Sequence, residues 1–183
     1  IIGAGNVATH LAKAFKAVDV QVAQVWSYHY ENAVLLANQV NAVAIEDLSA
    51  LDQNADLCLL AVKDDSISEL TSQLAGFKGI IAHTSGSVSI KVFENLFDNH
   101  GVCYPLQTFS KNKSVSFSNI PLCLEASNEK TLTLLKEVAN KLSANVREID
   151  SEKRKILHLS AVFACNFTNH LYALADEILT ANG

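Results

Sequence analysis

The chain has 183 residues, of which 49% are hydrophobic and 18% are charged. This balance is typical of a folded protein with one sizeable core and room for part of a second. The net charge of -5 provides no basic surface, so nucleic-acid binding and attraction to an anionic membrane are excluded as main activities. Polar side chains interrupt the most apolar stretch, residues 156–179, which argues against a membrane-spanning helix.

Strand and helix patterns alternate along residues 1–150. Strands are predicted at residues 1–2, 20–26, 42–45, 56–62, 79–83, 101–104, 120–125 and 146–149. Helices are predicted at residues 7–18, 31–39, 64–74, 88–97 and 128–142, the third of them capped by Asp64 or Asp65. This alternation predicts an α/β fold, a Rossmann-type doubly wound parallel sheet, in a first domain of residues 1–150.

The segment that begins at Ser151 differs in kind. It contains no Gly or Pro as far as Ala181, and Asp150 or Ser151 can cap its start. A helix of this length would run about 45 Å. Apolar residues occupy most of its circumference, so it must be covered on several sides. We therefore expect residues 151–183 to begin a second, all-helical domain.

A glycine-rich motif follows the first predicted strand. Residues 3–8 read GAGNVA and fit the pattern G-x-G-x-x-A. Gly3 would form the tight turn, and Gly5 would let the backbone approach a pyrophosphate closely. Asn6 and Val7 would begin the helix whose free N–H groups and positive dipole end hold the phosphates. The context of strand, motif and helix predicts a dinucleotide-binding site.

The end of the second predicted strand bears on the choice of cofactor. Sites for NAD usually place Asp or Glu about 20 residues after the glycine motif to hold the ribose 2′-hydroxyl. This chain has Ser27, Tyr28 and His29 there. A carboxylate would repel a 2′-phosphate, whereas Ser27 and His29 can donate hydrogen bonds to it. We therefore expect NADP, although Glu31 lies close by and no Arg or Lys supplies a positive charge.

Ligands of open α/β sheets bind outside the carboxyl ends of the strands. Three such strand ends are expected around a nicotinamide ring: Ala61, Val62, Lys63 and Asp64; His83, Thr84, Ser85 and Gly86; and Tyr104, Pro105, Gln107 and Thr108. The hydroxyl of Ser85 could bind a substrate carboxylate or phosphate. A structural role as helix caps is favoured for Asp64 and Ser87. For His83 and Ser85 the structural and functional roles both stay open.

A polar stripe runs along the otherwise apolar long helix. At about 100° per residue, it comprises Lys155, His158, Asn166 and Asn169. One interpretation is a set of buried polar residues that hydrogen-bond to neighbouring elements. The other places the stripe over the nicotinamide ring. There His158, with Asn169 nearly aligned three turns later, would supply a proton to a carbonyl or imine as hydride is transferred.

Five segments together resemble a known group of proteins. They are GAGNVA at residues 3–8, AVKDDSI at 61–67, HTSGS at 83–87, YPLQTFS at 104–110 and HLSAVFACNFTNHLYAL at 158–174. The chain resembles NADP oxidoreductases of the DUF2520 type over essentially its whole length. These have a Rossmann-like domain and an all-helical C-terminal domain. Their layout is similar to that of pyrroline-5-carboxylate reductase and of the 6-phosphogluconate and β-hydroxyacid dehydrogenases.

The resemblance has a limit at the catalytic helix. The β-hydroxyacid dehydrogenases carry a lysine one helical turn before an asparagine. The matching positions here hold Val162, before Asn166, and Cys165, before Asn169. That lysine mechanism therefore cannot be transferred to this chain.

Two functional hypotheses follow. The first is a reductase that moves hydride between NADPH and a small carbonyl or imine substrate. The second is a catalytically silent NADP-binding or redox-sensing protein built on the same scaffold. Turnover of NADPH with a carbonyl or imine would distinguish the first from the second.

The cysteines and the long helix lead to two further expectations. The four cysteines lie far apart with no C-x-x-C pair, which predicts buried free thiols, no disulfide or metal site and a reducing cytoplasm. A small sheet cannot cover a helix that is apolar almost all round, so we expect a homodimer built on the helix from Ser151 onward. The resemblance also implies dimers formed through this domain. Helices beyond Gly183 are the rival explanation.

Overall fold

The computed structural model describes residues 1–110 and 113–182. Within these residues the strands are β1 (Gln24–Trp26), β2 (Val43–Ile45), β3 (Leu57–Leu60), β4 (Ile80–His83), β5 (His100–Pro105), β6 (Leu122–Ala126) and β7 (Val146–Glu148). The helices are α1 (Asn6–Ala17), α2 (Tyr30–Val40), α3 (Asp64–Gln73), α4 (Glu129–Leu142), α5 (Ser151–Ala161) and α6 (Thr168–Asn182). A π-helical segment, Val162–Phe167, joins α5 to α6.

The strands lie in the order β2–β1–β3–β4–β5–β6–β7. Ile2 stands between β1 and β3, where it pairs in parallel with Trp26 and Leu60. The neighbouring pairs are parallel except for β5 and β6. This arrangement confirms the predicted Rossmann-type α/β fold and places the carboxyl ends of β1, β3 and β4 along one edge of the sheet.

The antiparallel pair of β5 and β6 departs from the all-parallel sheet that the alternation predicted. A parallel neighbour requires a crossover connection, which is usually a helix. No helix occurs between Pro105 and Leu122 in the described residues, so the chain turns back and pairs in the opposite direction.

Two of the local predictions are wrong. The helix predicted at residues 88–97 is only a 3₁₀ turn, Ile90–Phe93, because Asn95 adopts a left-handed conformation with φ of 66° that a helix cannot continue through. Neither Asp64 nor Asp65 caps α3. Lys63 holds the cap position, and the two aspartates lie in the first turn, where they favour the positive end of the helix dipole.

Helices cover both faces of the sheet. On one face α1, α2 and α4 bury Leu11, Leu36 and Leu135. On the other, α3 and the 3₁₀ turn bury Leu70 and Phe93. A fully buried side chain of this size contributes about 1.5–3 kcal/mol relative to an exposed one. This two-sided core fixes the loops at the carboxyl ends of the strands.

The long helix is buried against the sheet domain mainly near its start. Arg154 is the one residue of α5, the π segment and α6 that is buried among the described residues. The large apolar side chains that the sequence led us to expect under cover are exposed, among them Ile156, Leu159, Phe163, Phe167, Leu171, Leu174 and Ile178. Within this chain the helix is therefore not covered on several sides.

Candidate functional site

The first glycine of the motif is required by the fold. Gly3 has φ of 118°, which side chains rarely adopt. A Cβ atom built there would lie 2.3 Å from the carbonyl oxygen of Ala61, at the end of β3. Its N–H also donates to the carbonyl of Trp26 over 2.7 Å. Gly3 therefore lets the chain turn tightly between β1 and β3, as predicted.

The second glycine is not required by the protein. Gly5 has an ordinary φ of -75°, and nothing lies within 4 Å of a Cβ atom built on it. It holds the cap position of α1, and no side chain caps that helix start. The N–H groups of Asn6 and Val7 stand in its first turn, where backbone donors have no helical partner. Open space beside uncapped N–H groups fits a pyrophosphate.

A loop after β5 reaches over this helix start. The amide nitrogen Nδ2 of Asn6 donates to the carbonyl oxygen of Phe109 over 2.9 Å. His10 Nε2 donates to the carbonyl of Ser110 over 2.9 Å. Thr108, in the same loop, makes a long contact of 3.5 Å with the side-chain oxygen of Asn166 on the long helix. The loop thus links α1 to the long helix. Asn6 was expected at the phosphates, and its side chain holds this loop in place.

The residues expected to select NADP lie between β1 and α2. The ring of Tyr28 is 54% exposed and packs edge-on against Trp26, with ring centroids 4.9 Å apart. Trp26 is held by a hydrogen bond from its indole N–H to the carbonyl of Glu46. His29 has the cap position of α2, but its side chain makes no capping bond. Ser27, Tyr28 and His29 therefore form an accessible surface beside another uncapped helix start.

The loop after β3 provides backbone, not side-chain, contacts near the glycine turn. Ala61 is buried, and its N–H donates to the carbonyl of Ile2 over 2.8 Å. Val62 is partly buried, and Lys63 is exposed. Thr84, after β4, is buried against the carbonyl of Leu60, to which its N–H donates over 3.0 Å. Of this group, Lys63 alone presents a charged side chain to solvent.

His83 lies beneath the loop that follows β4. Its side chain is fully buried and packs against Phe93, and its Nδ1 accepts the N–H of Ser85 over 3.2 Å. The proton of the neutral ring therefore sits on Nε2, which has no partner among the described residues. Burial, together with the positive charge of Arg154, lowers the pKa of His83 to about 4. His83 is thus neutral at pH 7 and has no accessible surface.

Ser85 holds the same loop in shape. Its hydroxyl oxygen accepts the N–H of Ser87 over 3.1 Å and that of Val88 over 3.0 Å. Both lone pairs are used in this way, so Ser85 keeps only its hydroxyl proton for another partner. Ser87 donates a short hydrogen bond to Asp64, which ties the loop after β4 to the start of α3. Asp64 and Ser87 thus have structural roles, although not the helix caps expected.

His158 approaches this loop from the long helix. Its Nδ1 lies 2.9 Å from the hydroxyl oxygen of Tyr104, at the end of β5, and the two rings meet edge-on. A Cβ atom built on Gly86 would lie 2.6 Å from the imidazole ring. The site therefore brings together the loop after β4, the end of β5 and α5. Tyr104 and Gly86 belong to loops that were expected around the nicotinamide ring, but their contacts with His158 were not predicted.

Asn169 lies away from His158. It is exposed and makes no side-chain hydrogen bond within the described residues. The π-helical segment widens the turn and delays the rotation of the helix by about one residue, or about 100°. That delay brings Asn166 towards the line of His158 and turns Asn169 off it. An unbroken α-helix, which the alignment of His158 with Asn169 assumed, does not occur.

Arg154 lies next to the site and was not predicted from the sequence. Its guanidinium pairs with Glu125 on β6 and donates to the carbonyl of Val88 over 2.6 Å. Ser151 donates to the same carboxylate over 2.7 Å. Arg154 lies between Lys153 and Lys155 in the sequence, so no local pattern singled it out as the buried cation. Arg154 fixes α5 to the sheet beside the site.

The cysteines divide into two groups. Cys58, Cys103 and Cys123 are buried free thiols, as predicted, whereas Cys165 is exposed. Burial raises the pKa of Cys58 to about 11 and that of Cys103 to about 12, so both stay protonated at neutral pH. Among residues 1–110 and 113–182, no three His, Cys, Asp or Glu side chains come close enough to hold a metal ion. None of the helices described is long and apolar enough to cross a membrane.

Two family models match the chain. A model of the Rossmann-like domain matches residues 1–109, and a model of a domain of unknown function, DUF2520, matches residues 120–183. No curated protein matches the sequence.

Several solved structures are similar. A Bacteroides fragilis protein provisionally assigned as an NADP oxidoreductase is 43% identical, with a TM-score of 0.95 over 99% of this chain and 71% of its own. A Thermotoga maritima protein is 24% identical, with a TM-score of 0.80 over 100% of this chain and 71% of its own. The 1-pyrroline-5-carboxylate reductase of Streptococcus pyogenes is 14% identical, with a TM-score of 0.76 over 100% of this chain and 69% of its own. The chain therefore belongs to the Rossmann-like domain family, with a DUF2520 domain in its C-terminal part.

Proposed function

We propose that this protein binds NADP and moves hydride between NADPH and a small carbonyl or imine substrate. The observation that carries the proposal is Gly5. The fold does not require a glycine there, yet the position leaves open space beside the uncapped start of α1. A bound pyrophosphate would use both the space and the free N–H groups. The similarity to the Bacteroides fragilis protein supports the same cofactor.

The preference for NADP over NAD rests on the surface formed by Ser27, Tyr28 and His29. A 2′-phosphate placed there meets hydroxyl and imidazole donors and the uncapped N–H groups of α2. Tyr28 offers an exposed aromatic face beside it. Glu31 lies in the first turn of α2 but is exposed, so water screens its charge.

The chemistry is divided between the cofactor and the chain. NADPH, when bound, supplies the hydride to the substrate carbon. As that carbon gains the hydride, its bond pair moves to the oxygen or nitrogen, which takes a proton from Nε2 of protonated His158. Solvent then returns a proton to His158. Asn166 and Thr108, which contact each other where the long helix meets the loop after β5, supply polar groups to orient the substrate.

Titration with NADPH and NADH tests the cofactor. Trp26 is the only tryptophan and packs against Tyr28, so its fluorescence reports binding at this surface. We expect tighter binding of NADPH. Ser27→Asp should weaken NADPH binding at least tenfold and leave NADH binding little changed, because the carboxylate repels only the 2′-phosphate. Ser68→Asp, which adds the same charge on an exposed position of α3, is the control. Equal or tighter binding of NADH would contradict the preference.

Steady oxidation of NADPH with a panel of carbonyl and imine compounds tests the reaction. His158→Ala should then lower kcat by about 10²–10⁴ without changing NADPH affinity. Tight NADPH binding with no turnover on any compound would leave a catalytically silent NADP-binding protein.

We also propose that the protein is a homodimer that pairs along α5, the π segment and α6. The apolar side chains of this surface, among them Phe163 and Phe167, are 61% and 51% exposed. A contiguous apolar patch along a helix of this length exceeds what monomers usually expose. A twofold axis beside the helix would let each copy cover the other.

A further inference from the structure

We infer that Tyr104 is a positioning residue for His158, and that together with Gly86 it fixes the imidazole ring with Nδ1 engaged and Nε2 free to contact a bound molecule. The inference rests on the proposed function only for its catalytic consequence. The contacts that hold the His158 ring depend only on geometry and can be tested without a substrate.

The contact with Tyr104 orients one edge of the ring. The hydroxyl oxygen of Tyr104 lies 2.9 Å from Nδ1 of His158, and the ring centroids are 5.7 Å apart at 82°. No other side-chain hydrogen bond reaches this hydroxyl within the described residues, so in the neutral site its proton has Nδ1 as its acceptor. The ring proton then resides on Nε2.

The opposite edge of the ring carries no hydrogen bond within the described residues. Nε2 of His158 has no hydrogen-bond partner and is not among the buried unpartnered atoms of the described residues. It is therefore accessible to a bound molecule. When the ring carries both protons, the one on Nε2 is the one that a substrate oxygen or nitrogen could receive. The ring then keeps the proton on Nδ1, whose hydrogen bond Tyr104 can accept.

Gly86 supplies the space in which the ring sits. A Cβ atom at this position would lie 2.6 Å from Cγ and 2.7 Å from Nδ1 of His158. Any side chain there would push the ring away from Tyr104. The glycine cannot give way easily, because Ser85 fixes the loop through the N–H groups of Ser87 and Val88.

Arg154 fixes the position of α5 relative to the loop after β4. It lies four residues before His158 and donates to the carbonyl of Val88, in the same loop that contains Gly86. The loop, the end of β5 and α5 are thus joined at three points around one imidazole. These restraints preorganise the proton donor, because the ring does not have to be reoriented when a substrate reacts.

Tyr104 does not supply the transferred proton itself. Burial raises the pKa of its hydroxyl to about 12, so it stays protonated at neutral pH. A hydroxyl can both donate and accept, and it therefore keeps its contact with Nδ1 whether the ring is neutral or protonated. The proton on Nε2 can leave and return from solvent while the ring stays in place.

The test is the tautomer of His158, measured by nitrogen-15 NMR on the full chain labelled in histidine. His158→Gln assigns the signal, and pH 8.5 keeps imidazoles neutral. We expect a single Nε2–H tautomer in the unchanged protein. Tyr104→Phe should give a mixture of both tautomers, and Gly86→Ala should give the same mixture although Tyr104 is intact. Tyr172→Phe, which removes an exposed hydroxyl on α6, should leave the signal unchanged.

Identical His158 signals in the unchanged protein and in Tyr104→Phe would overturn the inference. NADPH titration of each variant shows that the fold and the cofactor site persist, which separates this outcome from a failure of the proposed function. With an active substrate, Tyr104→Phe should lower kcat about tenfold to a hundredfold and leave KM nearly unchanged. A fall in NADPH affinity alone, with the tautomer unchanged, would make Tyr104 a binding residue instead.

Discussion

The sheet domain and the long helix have similarly apolar sequences but are stabilised in different ways. In the sheet domain, apolar side chains such as Leu11 and Phe93 are buried on both faces of the sheet. In the helix, side chains of the same kind lie exposed, and the buried attachment is the ion pair of Arg154 with Glu125. Apolar composition therefore predicts burial only where a partner surface is present. The helix is held by charge and hydrogen bonds at one end.

The largest effect should come from breaking that attachment. Arg154→Met leaves the largely buried carboxylate of Glu125 without its partner and removes the donor to Val88. We expect a loss of about 3–5 kcal/mol in the free energy of unfolding, as for other buried ion pairs deprived of one member. Urea denaturation of the full chain measures it.

Lys153→Met is the matched control for this change. Lys153 pairs with Asp150 at an exposed position next to Arg154 in the sequence. Surface pairs of this kind contribute little. If Lys153→Met lowered the unfolding midpoint as much as Arg154→Met does, the buried ion pair would contribute no more to stability than the exposed one.

A somewhat smaller effect should appear as pH dependence inside the sheet domain. His83 is neutral when folded, because burial lowers its pKa from 6.5 to about 4. The unfolded chain binds that proton first, so His83 destabilises the fold progressively as pH falls from 6.5 to 4. The effect approaches about 3 kcal/mol at pH 4 and vanishes above pH 7.

Urea denaturation of the unchanged protein and of His83→Asn between pH 4 and 7.5 isolates this contribution. Asparagine keeps an acceptor near Nδ1 for the N–H of Ser85 but does not titrate. The difference in stability between the two proteins should be constant above pH 7 and should shift by about 3 kcal/mol in favour of His83→Asn as the pH falls to 4. Curves that stay parallel over the whole range would mean that His83 does not enter the titration.

The smallest effect on unfolding, but a clear one on assembly, is expected at the exposed part of the helix. Phe163→Glu places a charge on the proposed dimer surface, where the ring of Phe163 packs against that of Phe167. The dimer dissociation constant should rise at least tenfold, about 1.4 kcal/mol, because a charge would have to be desolvated. Sedimentation equilibrium of the full-length protein measures it. A monomer at tens of micromolar before any substitution would contradict the dimer.

The sequence predicted the parts of the fold that local patterns determine. Alternating strand and helix patterns were enough for the Rossmann-type sheet, and Gly3 and Gly5 could be placed because the motif has a defined geometry. The antiparallel pair of β5 and β6 was missed although no helix was predicted between residues 104 and 120, because parallel pairing was inferred from the alternation along the rest of the chain.

The site was predicted less completely because its contacts join distant parts of the chain. Tyr104 and His158 are 54 residues apart, and nothing in the local sequence of either indicates the other. The position of Asn169 depended on helix pitch, which the π segment changes. Periodicity assumes a regular helix, so it fails where the helix is locally widened.

The most direct test of the central claim, dinucleotide binding at the glycine turn, is calorimetric titration of NADP into Gly5→Val. Nothing in the protein lies within 4 Å of the added Cβ atom, so the variant should unfold at the same urea concentration as the unchanged protein. The side chain would occupy the space proposed for the pyrophosphate, so NADP binding should disappear. Normal NADP binding by the folded Gly5→Val protein would contradict the account.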